Sequence, residues 1–147
     1  MNLTIQCANV KQPAASADVL KWLNLAIKEG AKSSSVAKQA TITVRFVGSR
    51  ESCFLNKQYR NKNYATNVLT FPYAARPLHA DLVLCTPVLR RESKEQGKRM
   101  IDHLAHLLMH GALHALGYDH ETEADAQQME ALEISLLKRL TIANPYG

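Results

Sequence analysis

Three histidines in this chain are spaced so that one helix and the loop after it could close on a single metal ion. His110 and His114 lie four residues apart, about 6 Å along a helix axis, so both imidazoles leave the same face. Gly117 can take the positive φ that ends a helix, which lets His120 approach the same point from a loop. Three protein ligands leave a fourth position for water or substrate, as in catalytic zinc sites. The spacing therefore predicts an open metal site formed by His110, His114 and His120.

The competing interpretation is that these histidines form the polar stripe of an amphipathic helix. Histidine recurs there at helical period, at His103, His106, His110 and His114. However, polar stripes facing solvent usually consist of Lys, Glu and Gln. Here the stripe is histidine and the rest of residues 100–116 is almost entirely apolar, which favours the metal site. His106 lies about 12 Å from His114 along the axis and cannot share an ion with it. We expect His106 to support the site or to pack, and His103 and the isolated His79 to be structural.

The histidine helix resembles a zincin helix but lacks the general base of that class. In the pattern His-Glu-x-x-His the glutamate accepts the proton, and here the equivalent position is Gly111. This difference argues against ordinary zincin peptidase chemistry. Glycine inside a helix costs about 1 kcal/mol relative to alanine, which indicates that a substrate or a neighbouring backbone comes close to Gly111. Asp119, beside the third histidine, is a candidate catalytic residue that could act as the base or orient a ligand histidine.

Length and cysteine usage indicate the class of protein. The chain has 147 residues, the size of one compact unit, and we expect a single catalytic domain, 1–147. Its three cysteines are odd in number and lie far apart in apolar sequence, which predicts reduced core thiols: Cys7, Cys53 and Cys85. The N-terminus lacks a basic region followed by an apolar stretch, and no apolar run approaches the roughly 18 residues of a membrane span. We therefore expect a cytoplasmic protein without a membrane partner.

Charge is distributed unevenly along the chain, whose net charge is +5. Residues 45–62 hold five basic side chains against one acidic, and residues 90–99 hold five against two. Residues 119–139 hold six acidic side chains against two basic ones. This asymmetry predicts a positive side that could bind a polyanion. For the 90–99 segment a solvated helix face is an equally good explanation, because Arg, Glu and Lys alternate there.

The elements that must position these residues alternate between strands and helices. Alternating or buried apolar patterns predict strands at 3–8, 41–47, 67–71 and 81–85. Helical periodicity and cap residues predict helices at 16–28 with Gly30 as a stop, at 49–59 behind a Ser49 cap, and at 122–140. Pro87 opens a further helix, and the histidine helix follows from near Gly97. The predicted fold is α+β, a small mixed sheet packed with about five helices.

Several motifs of this chain match those of a known family. Residues 110–120 spell His-Gly-Ala-Leu-His-Ala-Leu-Gly-Tyr-Asp-His. A second block comprises Leu55, Asn56, Tyr59 and Arg60, followed at 65–72 by Ala-Thr-Asn-Val-Leu-Thr-Phe-Pro, and a strand begins with Ala80-Asp81-Leu82. From about position 41 onward the chain resembles the YbeY family of endoribonucleases. It departs from the family pattern at Ala65, Thr70, Ala80 and Ala115, and no metal ligand is lost.

The resemblance implies a zinc-dependent endoribonuclease specific for single strands, acting in ribosomal RNA maturation and small-subunit quality control. It implies one zinc per chain at the three histidines, Arg60 serving activity near the metal, and the small ribosomal subunit as partner, with no DNA expected. Independently of the resemblance, an arginine can hold two phosphate oxygens and stabilise transition-state charge, which suits Arg60. Arg45 and Lys62 are candidates for contacting the RNA backbone. Asn67, with Thr66, could hydrogen-bond in the cleft or could cap the chain.

Two other functions remain open from the sequence. One is an RNA-binding or ribosome-assembly protein whose zinc is structural. The other is a different metallohydrolase, which the glycine at position 111 disfavours. Nickel, copper or cobalt would also bind three imidazoles, so the spacing alone does not identify the metal.

Overall fold

The computed structural model describes the whole chain, residues 1–147, which forms four strands and six helices. The strands are β1 (Asn2–Cys7), β2 (Thr41–Val47), β3 (Val68–Ala75) and β4 (Leu78–Cys85). The helices are α1 (Ser16–Ala31), α2 (Ser34–Gln39), α3 (Ser49–Arg60), α4 (Thr86–Glu95), α5 (Met100–Ala115) and α6 (Glu123–Arg139). The predicted α+β class is confirmed, with six helices where about five were expected.

The four strands form one mixed sheet in the order β1-β2-β4-β3. β1, β2 and β4 are parallel neighbours, and β3 pairs antiparallel with β4. Parallel neighbours need a crossover connection, which α1 and α2 supply between β1 and β2. Along β2, Ile42, Val44 and Phe46 are buried on one face because side chains alternate with a period of two. The alternation that predicts this strand therefore also selects the face that covers the main core.

Helix α5 lies at the centre of the fold. It packs against α1, α4, α6 and the sheet, and its Leu104, Leu108 and Leu113 are shielded completely from solvent. A smaller apolar cluster lies on the opposite face of the sheet, between the strands and α4: Val47, Leu69, Val83, Cys85 and Val88. Because α5 is fixed on most of its circumference, the few polar side chains that it carries are held in defined positions.

The first helix does not stop where the sequence predicts. Gly30 lies inside α1, which ends at Ala31, and the C-cap residue Lys32 adopts a left-handed conformation with φ of 53°. A Cβ at position 30 would approach Leu113 Cδ2 to 2.7 Å and Leu116 Cδ1 to 2.9 Å. Glycine is therefore required here by the close packing of α1 against the end of α5, not by a turn.

Other boundaries also differ from the prediction. The sequence does not predict α2, a short helix that buries only Ala37 and so carries no clear periodic signal. The β3–β4 hairpin extends beyond the predicted strands because its outer part is held by backbone pairing, while residues 72–77 are exposed. Gly48, not Ser49, is the cap of α3. Helix α5 begins at Met100 because Gly97, with φ of 63°, breaks the chain after α4.

The cysteines are free but do not all lie in the core. Cys85 is buried, Cys53 is partly exposed and Cys7 is exposed on the edge strand β1. The prediction of core thiols is therefore correct for Cys85 and wrong for Cys7. Cys7 shares the face of Leu3 and Ile5, but it is the last residue of the edge strand and is left exposed there. None of the six helices is both long enough and apolar enough to cross a membrane.

Candidate metal centre

The three predicted ligands converge at the end of α5. His110 and His114 lie on its last turns, Gly117 adopts a positive φ of 108°, and His120 follows in the loop. One ring nitrogen from each histidine lies within 4.8 Å of the others. The Nε2 atoms of His110 and His114 are 3.0 Å apart. The predicted helix, turn and loop therefore bring the three imidazoles together.

The other ring nitrogens of the two helical histidines face hydrogen-bond acceptors. His114 Nδ1 donates to the backbone carbonyl of Tyr118 at 2.9 Å, and His110 Nδ1 donates to Glu133 Oε1. A carbonyl and a carboxylate can only accept, so each Nδ1 carries the proton and each Nε2 presents its lone pair. Burial, together with the neighbouring His110, lowers the pKa of His114 and keeps that imidazole neutral.

This donor set fits a metal ion. Two Nε2 lone pairs 3.0 Å apart cannot hydrogen-bond to each other when both protons lie on Nδ1, and a metal cation bound by both would satisfy them at once. Nitrogens that bind one zinc at about 2.05 Å in tetrahedral geometry are separated by roughly 3.3 Å, close to the spacing found here. Three neutral imidazoles without a cysteine are typical of zinc sites that leave a position for substrate.

Glu133 is the functional residue that the sequence analysis missed. It lies on α6, is completely buried, and accepts hydrogen bonds from His110, His106 and the Tyr146 hydroxyl. Burial alone would raise the pKa of its carboxyl, but these hydrogen bonds outweigh burial and lower the pKa to about 2. The available signal was an acidic residue within the apolar face of α6, four residues after Met129 and three before Leu136.

A second group of possible ligands, His106, His110 and Glu133, shares His110 with the first. In this group Glu133 Oε1 already accepts a hydrogen bond from His110 Nδ1, and His106 Nε2 lies 3.4 Å from Glu133 Oε2. The group is therefore a hydrogen-bonded layer behind the metal ligands. His106, 8% exposed, supports the site from this layer, in line with its predicted role.

The histidines open onto a cleft of about 730 Å³ between α5, the end of α3 and the start of β3. Arg60, Asn67 and Asp119 line the same cleft. Tyr59 also lines it, is 60% exposed, and packs edge to face on Phe71 with ring centroids 5.1 Å apart. The sequence analysis gave no weight to this aromatic pair, because tyrosines at helical spacing are usually part of a core.

The sequence model of the endoribonuclease YbeY family matches residues 4–141 of this chain. The chain belongs to the endoribonuclease YbeY family. Relatives that bear the name Endoribonuclease YbeY include the following three. The relative from Albidiferax ferrireducens is 46% identical, and the alignment covers 99% of this chain and 97% of the relative. The relative from a Polaromonas species is 55% identical over 87% of this chain and 79% of its own length. The relative from Burkholderia pseudomallei is 57% identical over 76% of this chain, but only 63% of its own length is covered.

A solved structure supports the fold of this family member. The solution structure of TM1509 from Thermotoga maritima superposes with a TM-score of 0.58, at 21% identity, over 95% of this chain and 91% of that one. The similarity concerns the arrangement of helices and strands. The match to the family model ends at residue 141, before Tyr146.

The cleft residues differ in the ion pairs and hydrogen bonds that they already form within the protein. Arg60 ends α3 and is exposed, and its guanidinium takes part in none of the seven ion pairs. Asn67 Nδ2 donates to Glu92 Oε1 at 3.1 Å, and its Oδ1 accepts from the Val68 amide. Asn67 therefore fixes the start of β3 while it lines the cleft. Asp119 Oδ1 accepts from the Glu121 amide at 3.3 Å, and Asp119 has no hydrogen bond to a histidine.

The remaining two predicted contacts lie outside the cleft lining. Arg45 forms an ion pair with Glu51 at 2.7 Å and also donates to Gln6 at 3.0 Å. Lys62 follows α3 and is exposed to solvent. Both can therefore contact RNA only where the RNA strand extends beyond the cleft.

Proposed function

We propose that this protein is a zinc-dependent endoribonuclease that cleaves single-stranded RNA in ribosomal RNA maturation and small-subunit quality control, in the cytoplasm. The observation that carries the proposal is that three imidazole nitrogens face the same cleft as the ion-pair-free Arg60. Membership of the endoribonuclease YbeY family supports the activity. The ribosomal partner and the choice of zinc rest on the resemblance and on the donor set.

The chemistry divides between the bound ion and the chain. A bound zinc ion supplies a Lewis acid that polarises a phosphodiester oxygen and makes a water molecule acidic near neutral pH. Arg60 offers a planar guanidinium that donates to two phosphate oxygens and stabilises the negative charge that grows in the transition state. Asp119, which lines the cleft and directly precedes His120 in the chain, is the candidate to accept a proton from the attacking water.

The shape of the cleft favours an unpaired strand. The ring of Tyr59 is exposed beside Arg60 and is buttressed by Phe71, so it offers a fixed aromatic surface next to the phosphate position. An unpaired base can stack on such a ring, at about 1–3 kcal/mol per base, whereas a base inside a duplex is already stacked on its neighbours. This arrangement supports single-strand specificity.

Peptidase chemistry of the zincin type is disfavoured by packing as well as by residue type. Gly111 lies against the sheet, where an added Cβ would come within 3.1 Å of Leu82 Cδ2 and 3.3 Å of Thr70 Oγ1. A glutamate at this position would press on the side chains of Leu82 and Thr70, which would have to move to admit it. The close approach that the sequence indicated at this glycine is therefore made by side chains of β3 and β4.

RNA cleavage by three variants tests the proposal. Cleavage of a fluorescent single-stranded RNA is expected to be lost in His114→Ala and to fall at least about 100-fold in Arg60→Ala, because each removes stabilisation of the transition state. Arg50→Ala is the matched control, since Arg50 is an exposed arginine on the same helix that does not line the cleft. A DNA strand of the same sequence should remain intact.

The outcomes separate the proposal from its alternatives. Full activity in folded His114→Ala, or equal activity in Arg60→Ala and Arg50→Ala, would contradict the assigned roles. Metal-dependent RNA binding without cleavage would instead favour a binding protein with a structural zinc. Cosedimentation of the inactive His114→Ala protein with purified small ribosomal subunits tests the partner, and absence of cosedimentation under low salt would contradict it.

A further inference from the structure

The C-terminal tail folds back onto the layer behind the metal ligands. After α6 the chain turns at Thr141, whose φ is 57°, and the Ile142 amide donates to Leu137 carbonyl at 2.9 Å. The tail then brings Tyr146 onto His106, with the ring centroids 5.6 Å apart and the rings nearly perpendicular. Although Tyr146 is 45% exposed, its hydroxyl reaches the completely buried carboxylate of Glu133.

The two oxygens of Glu133 have separate partners. Oε1 accepts from His110 Nδ1, whereas Oε2 accepts from the Tyr146 hydroxyl and lies 3.4 Å from His106 Nε2. Glu133 is completely buried away from bulk solvent, so its orientation is set by these hydrogen-bond partners. Burial and the adjacent Glu133 raise the pKa of Tyr146, so its hydroxyl keeps the proton that it donates.

We propose that Tyr146 is a positioning residue that orients Glu133 and, through Glu133, the metal ligand His110. The inference rests on the proposed metal site. With Oε2 held by the tail, Oε1 points at His110 Nδ1, and this hydrogen bond directs the Nε2 lone pair into the site. Partners that orient a ligand histidine commonly change metal affinity about 10- to 100-fold when they are removed. The C-terminal tail would thus tune the metal site.

Zinc affinity of the full chain tests the inference. In Tyr146→Phe, Oε2 keeps only the weak contact with His106, so we expect the zinc dissociation constant, measured by chelator competition, to rise about 10-fold. A chain that ends after Ile142 should show the same loss. Tyr64→Phe is the matched control, because Tyr64 is an exposed tyrosine that does not line the site and should bind zinc like the wild type.

A spectroscopic measurement separates positioning from general destabilisation. In the zinc-free protein, the ¹H–¹⁵N signal of His110 Nδ1 should be visible in wild type and in Tyr64→Phe, because its proton is held by Glu133. It should broaden or shift in Tyr146→Phe while the thermal unfolding midpoint changes little. Unchanged zinc affinity together with an unchanged His110 signal in Tyr146→Phe would overturn the proposal.

The same experiment distinguishes this inference from the proposed function. Wild-type protein that binds zinc but leaves RNA intact would contradict the nuclease and leave the positioning role measurable. Wild-type protein that binds no zinc would contradict the metal site, and the His110 signal would then decide whether Tyr146 orients the imidazole.

Discussion

At the scale of single residues, the site depends on which ring nitrogen of each histidine carries the proton. His110 and His114 both have an acceptor at Nδ1, one a buried carboxylate and the other a backbone carbonyl. The ligands are predictable from sequence because their spacing along the chain is local. Glu133 is not, because its contact with His110 spans 23 positions and depends on how α6 packs against α5.

A buried histidine outside the site makes stability depend on pH. His103 lies on α5 with Nε2 2.9 Å from Glu92 Oε1, and burial, outweighing Glu92, holds its pKa below the ordinary value of about 6.5. Between the folded and unfolded pKa values the unfolded chain binds more protons, so the free energy of unfolding falls as pH drops below about 6.5. Above that pH this contribution is fully present.

Urea unfolding of the zinc-free protein checks this dependence. The loss of stability between pH 7 and pH 5.5 is expected to be smaller in His103→Gln, which can still donate to Glu92 but does not titrate. Wild type and His103→Gln share every other histidine, including His114, so their difference isolates position 103. Parallel pH profiles for the two proteins would contradict the predicted role of burial.

At the scale of elements, periodicity predicts the strands and helices that bury a continuous apolar side, such as β2 and α5. It fails where an element buries little, as in α2 and the exposed end of the β3–β4 hairpin, since backbone pairing leaves no trace in hydrophobic pattern. It also fails at Gly30, where a glycine that is typical of a helix end serves close helix packing. These contacts join residues far apart in sequence.

The contact between α5 and the sheet gives a prediction about stability. Valine at position 111 would press against Leu82 and Thr70, so Gly111→Val should lower the free energy of unfolding by about 1–3 kcal/mol. Ala124→Val places the same side chain at an exposed position in α6 and should cost only a few tenths of a kcal/mol. Equal urea midpoints for the two variants would contradict the close packing at Gly111.

At the scale of the whole molecule, charge is separated between two parts of the chain. The basic segment 45–62 includes the end of α3 at the cleft, whereas the acidic segment 119–139 begins at the cleft with Asp119 and continues along α6. The first part of the 90–99 segment lies in α4, where the exposed Arg91 and Glu95 pair at 4.0 Å, as expected for a solvated helix. The uneven charge is a property of the sequence itself, and the positive side that it predicts stays a prediction.

Salt dependence of RNA binding tests the role of the basic segment. If Arg45 and Lys62 each contact a phosphate, alanine at either position should reduce the slope of log affinity against log salt by about 0.7 for single-stranded RNA. Lys138→Ala, at the end of the acidic segment, is the control and should leave the slope unchanged. The measurement is fluorescence anisotropy with inactive His114→Ala protein as background. An unaltered slope would remove Arg45 or Lys62 from the RNA-binding surface.

The most direct test of the account is the metal content of the protein. Elemental mass spectrometry on protein purified without chelator or a metal-affinity step should find close to one zinc per chain in wild type and almost none in folded His114→Ala. This result would place the ion at the three imidazoles that the sequence predicts and the structure brings together. Well-folded wild type without bound metal, or equal zinc in both proteins, would contradict the central claim that His110, His114 and His120 form a catalytic metal site.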